Sequence, residues 1–173
     1  MAGESGTSAP RPLIDRLARS DGEAWRTLFD QAPIGIVIAD AAGRLLLANE
    51  AAQALAGRAE RKVPHHAPVA ELFHVEDRAK VEAELARIAA GLGGRESLEL
   101  RLAERRGEGG VALGCSVAMV AFTPVVEPGG GVSGAVIRLT DVTRRRVMET
   151  QLAQTQKMQA VGHLAGGGAR HFK

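Results

Sequence analysis

Between Val132 and Arg146 the hydrophobic period of this chain switches from that of a strand to that of a helix with no loop between them. Ala135, Ile137 and Leu139 share one face and Val136, Arg138 and Thr140 the other, the alternation of a half-buried strand. That strand stops at Asp141, and Asp141 and Thr143 favour helix caps. Both residue types carry a side-chain oxygen able to take up an unpaired N–H at a helix start. From Arg144 the chain runs polar, without Pro or Gly, as far as Gly162, so a strand is wired directly into a long helix. Along that helix Val147, Gln151, Gln154, Met158, Val161 and Ala165 follow a 4,3,4,3,4 spacing. This is a heptad seam, weakened by two glutamines and by Leu152 in a neighbouring register, and it predicts pairing with a second copy of the chain.

The upstream segments have to supply the rest of a sheet. Residues 1–11 are rich in Gly, Ser, Ala and Pro and predict disorder, and Pro12 can open a short linker helix bearing Leu13, Ile14 and Leu17. Ser20 and Glu23 have capping-box spacing before a helix with Trp25, Leu28 and Phe29 on one side. Ile34–Ala39 and Arg44–Ala48 read as a hairpin around Asp40-Ala-Ala-Gly43, and Asn49 as the cap of a short helix ended by Gly57. A breaker-rich connection follows from Arg58 to Pro68. The spacing then predicts a helix over Glu76–Ala90, with Val81, Leu85, Ile88 and Ala89 on its inner stripe and Glu76 paired to Lys80. Leu98, Leu100 and Leu102 alternate as a strand with one wet face, Val111–Phe122 is apolar on both faces as a central strand is, and Pro124 and Pro128 read as the turn before the last strand. Five strands with helices gathered between the second and third give an α+β chain whose antiparallel sheet is covered on one face.

Composition narrows the function classes. Aromatic residues make up 3% of the 173 residues, too few for stacking surfaces along single-stranded nucleic acid, and the net charge is only +2 with its signs interspersed. No nucleic-acid partner is expected. The basic run Arg144-Arg145-Arg146 opposes the helix dipole and reads as a solvated face compensated by Asp141 or Glu149. A single cysteine, Cys115, allows neither an intrachain disulfide nor a thiolate cluster; it reads as a small buried thiol in a reducing cytoplasm. Met1–Pro12 lacks an apolar core of the signal-peptide kind, and no run approaches the ~20 apolar residues of a membrane span, leaving any membrane anchor to a parent protein. His65 and His66 are adjacent rather than three or four apart, so no metal site is expected. Ile36, Ile38, Leu100, Val117, Met119 and Ile137 are expected to meet under the helices. Their uniformly apolar character favours a filled core over a pocket, and the only ligand such a lining would admit is small and apolar.

The strand ending Asp141-Val142-Thr143-Arg144-Arg145, followed by the helix Leu152-Ala-Gln-Thr-Gln-Lys-Met-Gln-Ala-Val-Gly-His-Leu-Ala-Gly-Gly167, resembles a PAS sensor domain joined to the dimerisation helix of a bacterial histidine kinase of the hybrid, cell-cycle type. The likeness spans Asp21 to the C-terminus. It implies a PAS fold over residues 20–143, preceded by a flexible terminus and linker helix over 1–19 and followed by a signalling helix over 144–173. It further implies a sensory module of a two-component system that relays conformational change through Asp141 and Thr143, dimerises through its N- and C-terminal helices, and works with a kinase catalytic domain or other signalling proteins. Asn49 matches a residue the family often carries after its second strand. Haem-binding members place an iron ligand on the helix where this chain has Lys80, and flavin-binding members need an Asn-Cys-Arg motif that is missing here, so neither cofactor is expected.

The end of the chain departs from the family. The phosphoacceptor box of such kinases reads approximately Leu-Ala-Gly-Gly-Ile-Ala-His-Asp-Phe-Asn, and this chain has Leu164-Ala-Gly-Gly-Gly-Ala-Arg-His-Phe-Lys173. Arg170 stands at the phosphoacceptor position and His171 beside it. A one-residue shift turns a helical side chain by about 100°, so His171 is a poor phosphoacceptor, and His163 reads as a surface residue. Gly166, Gly167 and Gly168 predict a frayed last turn at about 1 kcal/mol each relative to Ala. The sequence shows no second dimerisation helix and no Walker-type phosphate loop, and the chain by itself is therefore expected not to be a kinase. The rival expectations are a phosphotransfer fragment using His171 and a non-enzymatic protein-binding adaptor.

Overall fold

A computed structural model of the chain describes residues 24–57, 64–94, 97–104 and 114–168, the last nine without their side chains. The chain divides after Asp141 into two compact units. In the first, helix α1 (Ala24–Asp30) leads into strands β1 (Gly35–Asp40) and β2 (Leu45–Ala48), then helix α2 (Glu50–Leu55). Two single turns of 3-10 helix, Val69–Leu72 and Val75–Asp77, introduce helix α3 (Arg78–Ala89). Strands β3 (Leu98–Arg101), β4 (Val117–Val126) and β5 (Val132–Asp141) complete the unit. The sheet is five-stranded and antiparallel in the order β2-β1-β5-β4-β3, so the last strand lies at the centre. All the helices between β2 and β3 therefore fall in one crossover from one edge of the sheet to the other.

Strand parity decides what is buried. Val37, Ala39, Ala135, Ile137, Leu139, Val120, Phe122 and Leu100 form one face and pack with Ala52, Val69, Leu72, Phe73, Val81 and Ile88 from the helical crossover. At about 2 kcal/mol for each fully buried aliphatic side chain, this face supplies most of the driving force for folding. Register pairs Ile36 with Arg138, Ile38 with Val136 and Met119 with Thr140, all on the opposite face. The six residues expected to converge are thus divided: Leu100 and Ile137 lie in the helix-side core, while Ile36, Ile38, Val117 and Met119 do not. Each strand contributes residues of one parity, and register decides which parity faces the helices: Val37 pairs with Ile137 and Leu100 with Ala118, which turns Ile36, Ile38, Val117 and Met119 to the other side.

Other expectations shift for local reasons. Helix α3 starts later than expected because Val75–Asp77 is a 3-10 turn, and its buried stripe is Val81, Glu84 and Ile88, with Ala89 exposed and Leu85 half-buried. Leu28 is exposed, while Trp25 and Phe29, one turn apart, meet ring to ring at 5.7 Å. Pro124 lies within β4 opposite Ala135 rather than in the turn. It is tolerated because β3 pairs with β4 only as far as Val120, leaving the Pro124 side an open edge that demands no N–H. His66 adopts a positive φ of 64° as residues 66–67 hydrogen-bond to Leu45, so this breaker-rich connection still ties to β2.

The second unit is helix α4 (Thr143–Gly168). Glu149 accepts hydrogen bonds from Arg145 at 2.8 Å and Arg146 at 3.1 Å, the compensation a basic first turn needs. Arg145 foremost, aided by Arg146, holds the Glu149 carboxyl below its ordinary range. Helical geometry persists through Gly166, Gly167 and Gly168, where fraying was expected. Arg170 and His171, like the linker helix and the Ser20–Glu23 box, lie outside the described residues.

Candidate functional site

Three features of the first unit concentrate its polar chemistry. The first is Asn49, wholly buried at the end of the β1–β2 hairpin. Its Oδ1 accepts from the N–H of Ile36 at 2.8 Å and of Ala52 at 2.9 Å, and its Nδ2 donates to the carbonyls of Phe29 and Ile34, both at 2.9 Å. Every lone pair and proton that an amide can use is spent. The reading of Asn49 as a cap alone is therefore too small: it caps α2 through Ala52 and also bolts α1 and β1 to that cap.

The second feature is Asp77, 3% exposed at the entrance to α3. One carboxylate oxygen accepts from Lys80 Nζ at 2.7 Å, and the other from the backbone N–H and Nε of Arg101, both at 3.0 Å. Arg101 extends a second nitrogen to Glu76 Oε2 at 2.7 Å. Lys80 is thus paired with Asp77 and not with Glu76, because the 3-10 turn changes the angular spacing that an α-helical i,i+4 pair requires. Burial by itself pushes the Asp77 carboxyl up, but the hydrogen bonds from Arg101 and Lys80 outweigh it and leave the group well below the usual carboxylate range. The Arg101 guanidinium is raised in turn, chiefly by its bond to Asp77. This cluster latches the start of α3 to β3.

The third feature is the exit from the sheet. Asp141 closes β5 opposite Ala118, and α4 opens at Thr143 with only Val142 between them in the chain. Two grooves border the described residues of this unit. One of about 460 Å³ is bordered by Trp25, Phe29, Leu46, Gln53 and His65, and another of about 410 Å³ by Gly43, Pro68, Glu82 and Leu85.

With this geometry in view, the comparison with known proteins is decisive at one level. The sequence profile described as the PAS fold matches residues 29–147, from the end of α1 past the joint into the first turn of α4. The chain belongs to the PAS fold family. Over 160 residues this PAS chain is 30% identical to Sensor kinase CckA of Brucella abortus (strain 2308), a match covering 89% of the chain and 16% of that much longer relative. Among solved structures, a PAS domain from Colwellia psychrerythraea superposes with a TM-score of 0.55 at 19% identity, covering 68% of this chain and 93% of its own. A sensory box histidine kinase/response regulator from Burkholderia thailandensis E264 gives 0.53 at 19%, covering 80% and 98%. These likenesses carry the fold.

Lys80 lies on α3, and its amine is paired with Asp77 Oδ1 at 2.7 Å. Sequence reasoning passed over Asp77 and Arg101 as a pair because they are 24 residues apart and meet only when β3 returns beside the crossover. Their signal was faint: an Asp before a helix and an Arg on the wet face of a strand are both ordinary surface residues. No helix among the described residues is long and apolar enough to cross a membrane.

Proposed function

We propose that this chain is the sensory and dimerisation PAS module of a two-component histidine kinase, turning a change in its sheet into a rotation or register shift of two paired α4 helices. The observation that carries this reading is the joint. Strand β5 ends at Asp141 and helix α4 begins at Thr143, so only one residue of chain, Val142, separates the central strand from the helix it would drive. Asp141 and Thr143 flank it and act as the relay. Val147, Met148, Leu152 and Met158 are at least half exposed along α4, apolar surface of the kind a second helix covers, which supports a homodimer. The helix-side core is uniformly apolar, with Phe73, Leu100 and Ile137 each 1% exposed or less, which supports a signal delivered by a protein partner over a small ligand.

The chain itself is read as non-catalytic. Arg170 stands where the family has its phosphoacceptor, and a guanidinium stays protonated and offers no nucleophilic lone pair. Phosphoryl transfer would belong to a kinase catalytic domain of the parent protein, working in the cytoplasm. The test is made in that parent. Asp141→Ala and Thr143→Ala should abolish the dependence of autophosphorylation on the sensor while circular dichroism of the PAS module stays unchanged; unaltered signalling would remove the joint from the mechanism. Incubating the chain with labelled ATP and the kinase domain should leave it unlabelled, whereas an acid-labile phosphoryl group on His171 would restore the phosphotransfer reading.

A further inference from the structure

We propose that His74, Glu104 and Cys115 form a binding site for a divalent cation of the zinc class. One ligand atom from each of the three lies within 4.8 Å of the others. The convergence is built into the backbone. The His74 N–H donates to the carbonyl of Arg101 at 2.9 Å, the Ala103 N–H to Leu72 at 2.8 Å, and the Leu102 N–H to Ser116 at 2.8 Å. Three chain segments thus run side by side at the β3 edge, each offering one donor. Phe73, Leu102 and Ser116, buried at 3% exposure or less, anchor the three segments from within. His74 and Cys115 are half-buried and Glu104 is exposed, an arrangement in which two donors are held and a mobile carboxylate closes over the ion.

The donor set selects the metal. A thiolate and an imidazole favour zinc over magnesium or calcium, and the carboxylate supplies a third ligand while a fourth position stays open to water. Zinc–sulfur and zinc–nitrogen bonds of about 2.3 and 2.0 Å require the ligand atoms to draw together by about 1 Å, within the rotamer freedom of an exposed Glu104. Binding releases the Cys115 proton to solvent and leaves a neutral imidazole.

Occupancy also has a structural consequence. Nδ1 of His74 accepts a 3.4 Å contact from the Glu76 N–H, capping the 3-10 turn that carries Glu76 and Asp77. A neutral imidazole has one ring lone pair. If the metal binds Nδ1, that lone pair is consumed; if it binds Nε2, the proton moves to Nδ1, and either way Glu76 loses its acceptor. Metal binding and the cap are therefore mutually exclusive, and the ion reports to the turn that holds the Asp77–Arg101 latch.

The experiment uses the untagged full chain with Zn2+ in equilibrium dialysis and Co2+ as a spectroscopic probe. One equivalent should bind, with a thiolate-to-cobalt charge-transfer band. Cys115→Ser should abolish the band, and Cys115→Ser and His74→Gln should each weaken binding by at least about tenfold. Glu104→Gln, at an exposed position that does not threaten folding, should weaken it by a similar factor. A His65→Asn/His66→Asn double variant should bind as the parent does, and the Glu76 amide resonance should move with added Zn2+. No stoichiometric binding would overturn the proposal, as would binding that survives Cys115→Ser, is lost in the His65/His66 variant, or leaves the Glu76 amide unmoved.

Discussion

A cap and a hub make different demands on the same side chain, and Asn49 separates them. Aspartate caps a helix as well as asparagine does, so a residue that only capped α2 would tolerate Asn49→Asp. In the observed network aspartate keeps the bonds from Ile36 and Ala52 but loses both donors and turns an anion toward the carbonyls of Phe29 and Ile34. Asn49→Asp and Asn49→Ala are each expected to destabilise the first unit by about 3 kcal/mol in urea denaturation. Near-neutral behaviour of the aspartate variant would reduce Asn49 to a cap. Asp77 yields a pH signature. Its folded pKa is depressed below the ordinary value of 3.8, so its stabilising contribution is complete above about pH 4 and is lost as the pH falls through the folded value. Asp77→Asn should cost about 2 kcal/mol at neutral pH, moderated because Arg101 is partly exposed and rehydrates. The gap between parent and variant should shrink as the pH is lowered from about 4 toward 2; a constant gap in acid would mean that the carboxylate charge is not what holds the latch.

At the scale of elements, the central pairing of β1 with β5 admits no side chain at Gly134. A Cβ built there would run into the carbonyl oxygen of Ala39, so this pairing requires glycine. Gly134→Ala should cost about 2–3 kcal/mol and loosen the strand that leads to α4, measurable as faster amide exchange at Gly35–Asp40. Wild-type exchange rates in that strand would indicate that the sheet absorbs a methyl group at no cost. Strand identity was legible because period-two alternation survives in Leu98–Leu102 and Ala135–Leu139. Strand ends were less so: Pro124 sits inside β4 only because β3 is too short to pair beside it, a fact about a neighbour and not about Pro124.

For the molecule as a whole, the exposed apolar residues of α4 are the feature with the most immediate consequence. The proposed pairing through α4 predicts that the chain sediments as a dimer and that Val147→Lys combined with Met158→Lys makes it a monomer in analytical ultracentrifugation, since a charge on a heptad seam costs more to bury than an exposed apolar residue gains. A dimer that persists would place the self-association elsewhere. The sequence by itself determined the number and kind of elements, the α+β class, the abrupt strand-to-helix joint at Asp141-Val142-Thr143 and, through its wording, the PAS family. Those properties are local: periodicity, caps and breakers act over a few residues and are written side by side in the chain. Only the tertiary structure decided which sheet face the helices cover, that Asn49 is a four-way tie, that Asp77 reaches Arg101, and that His74, Glu104 and Cys115 come together. Each of these depends on strand order and register, and a pairing free energy shared among many distant contacts leaves no mark at any one position in the sequence.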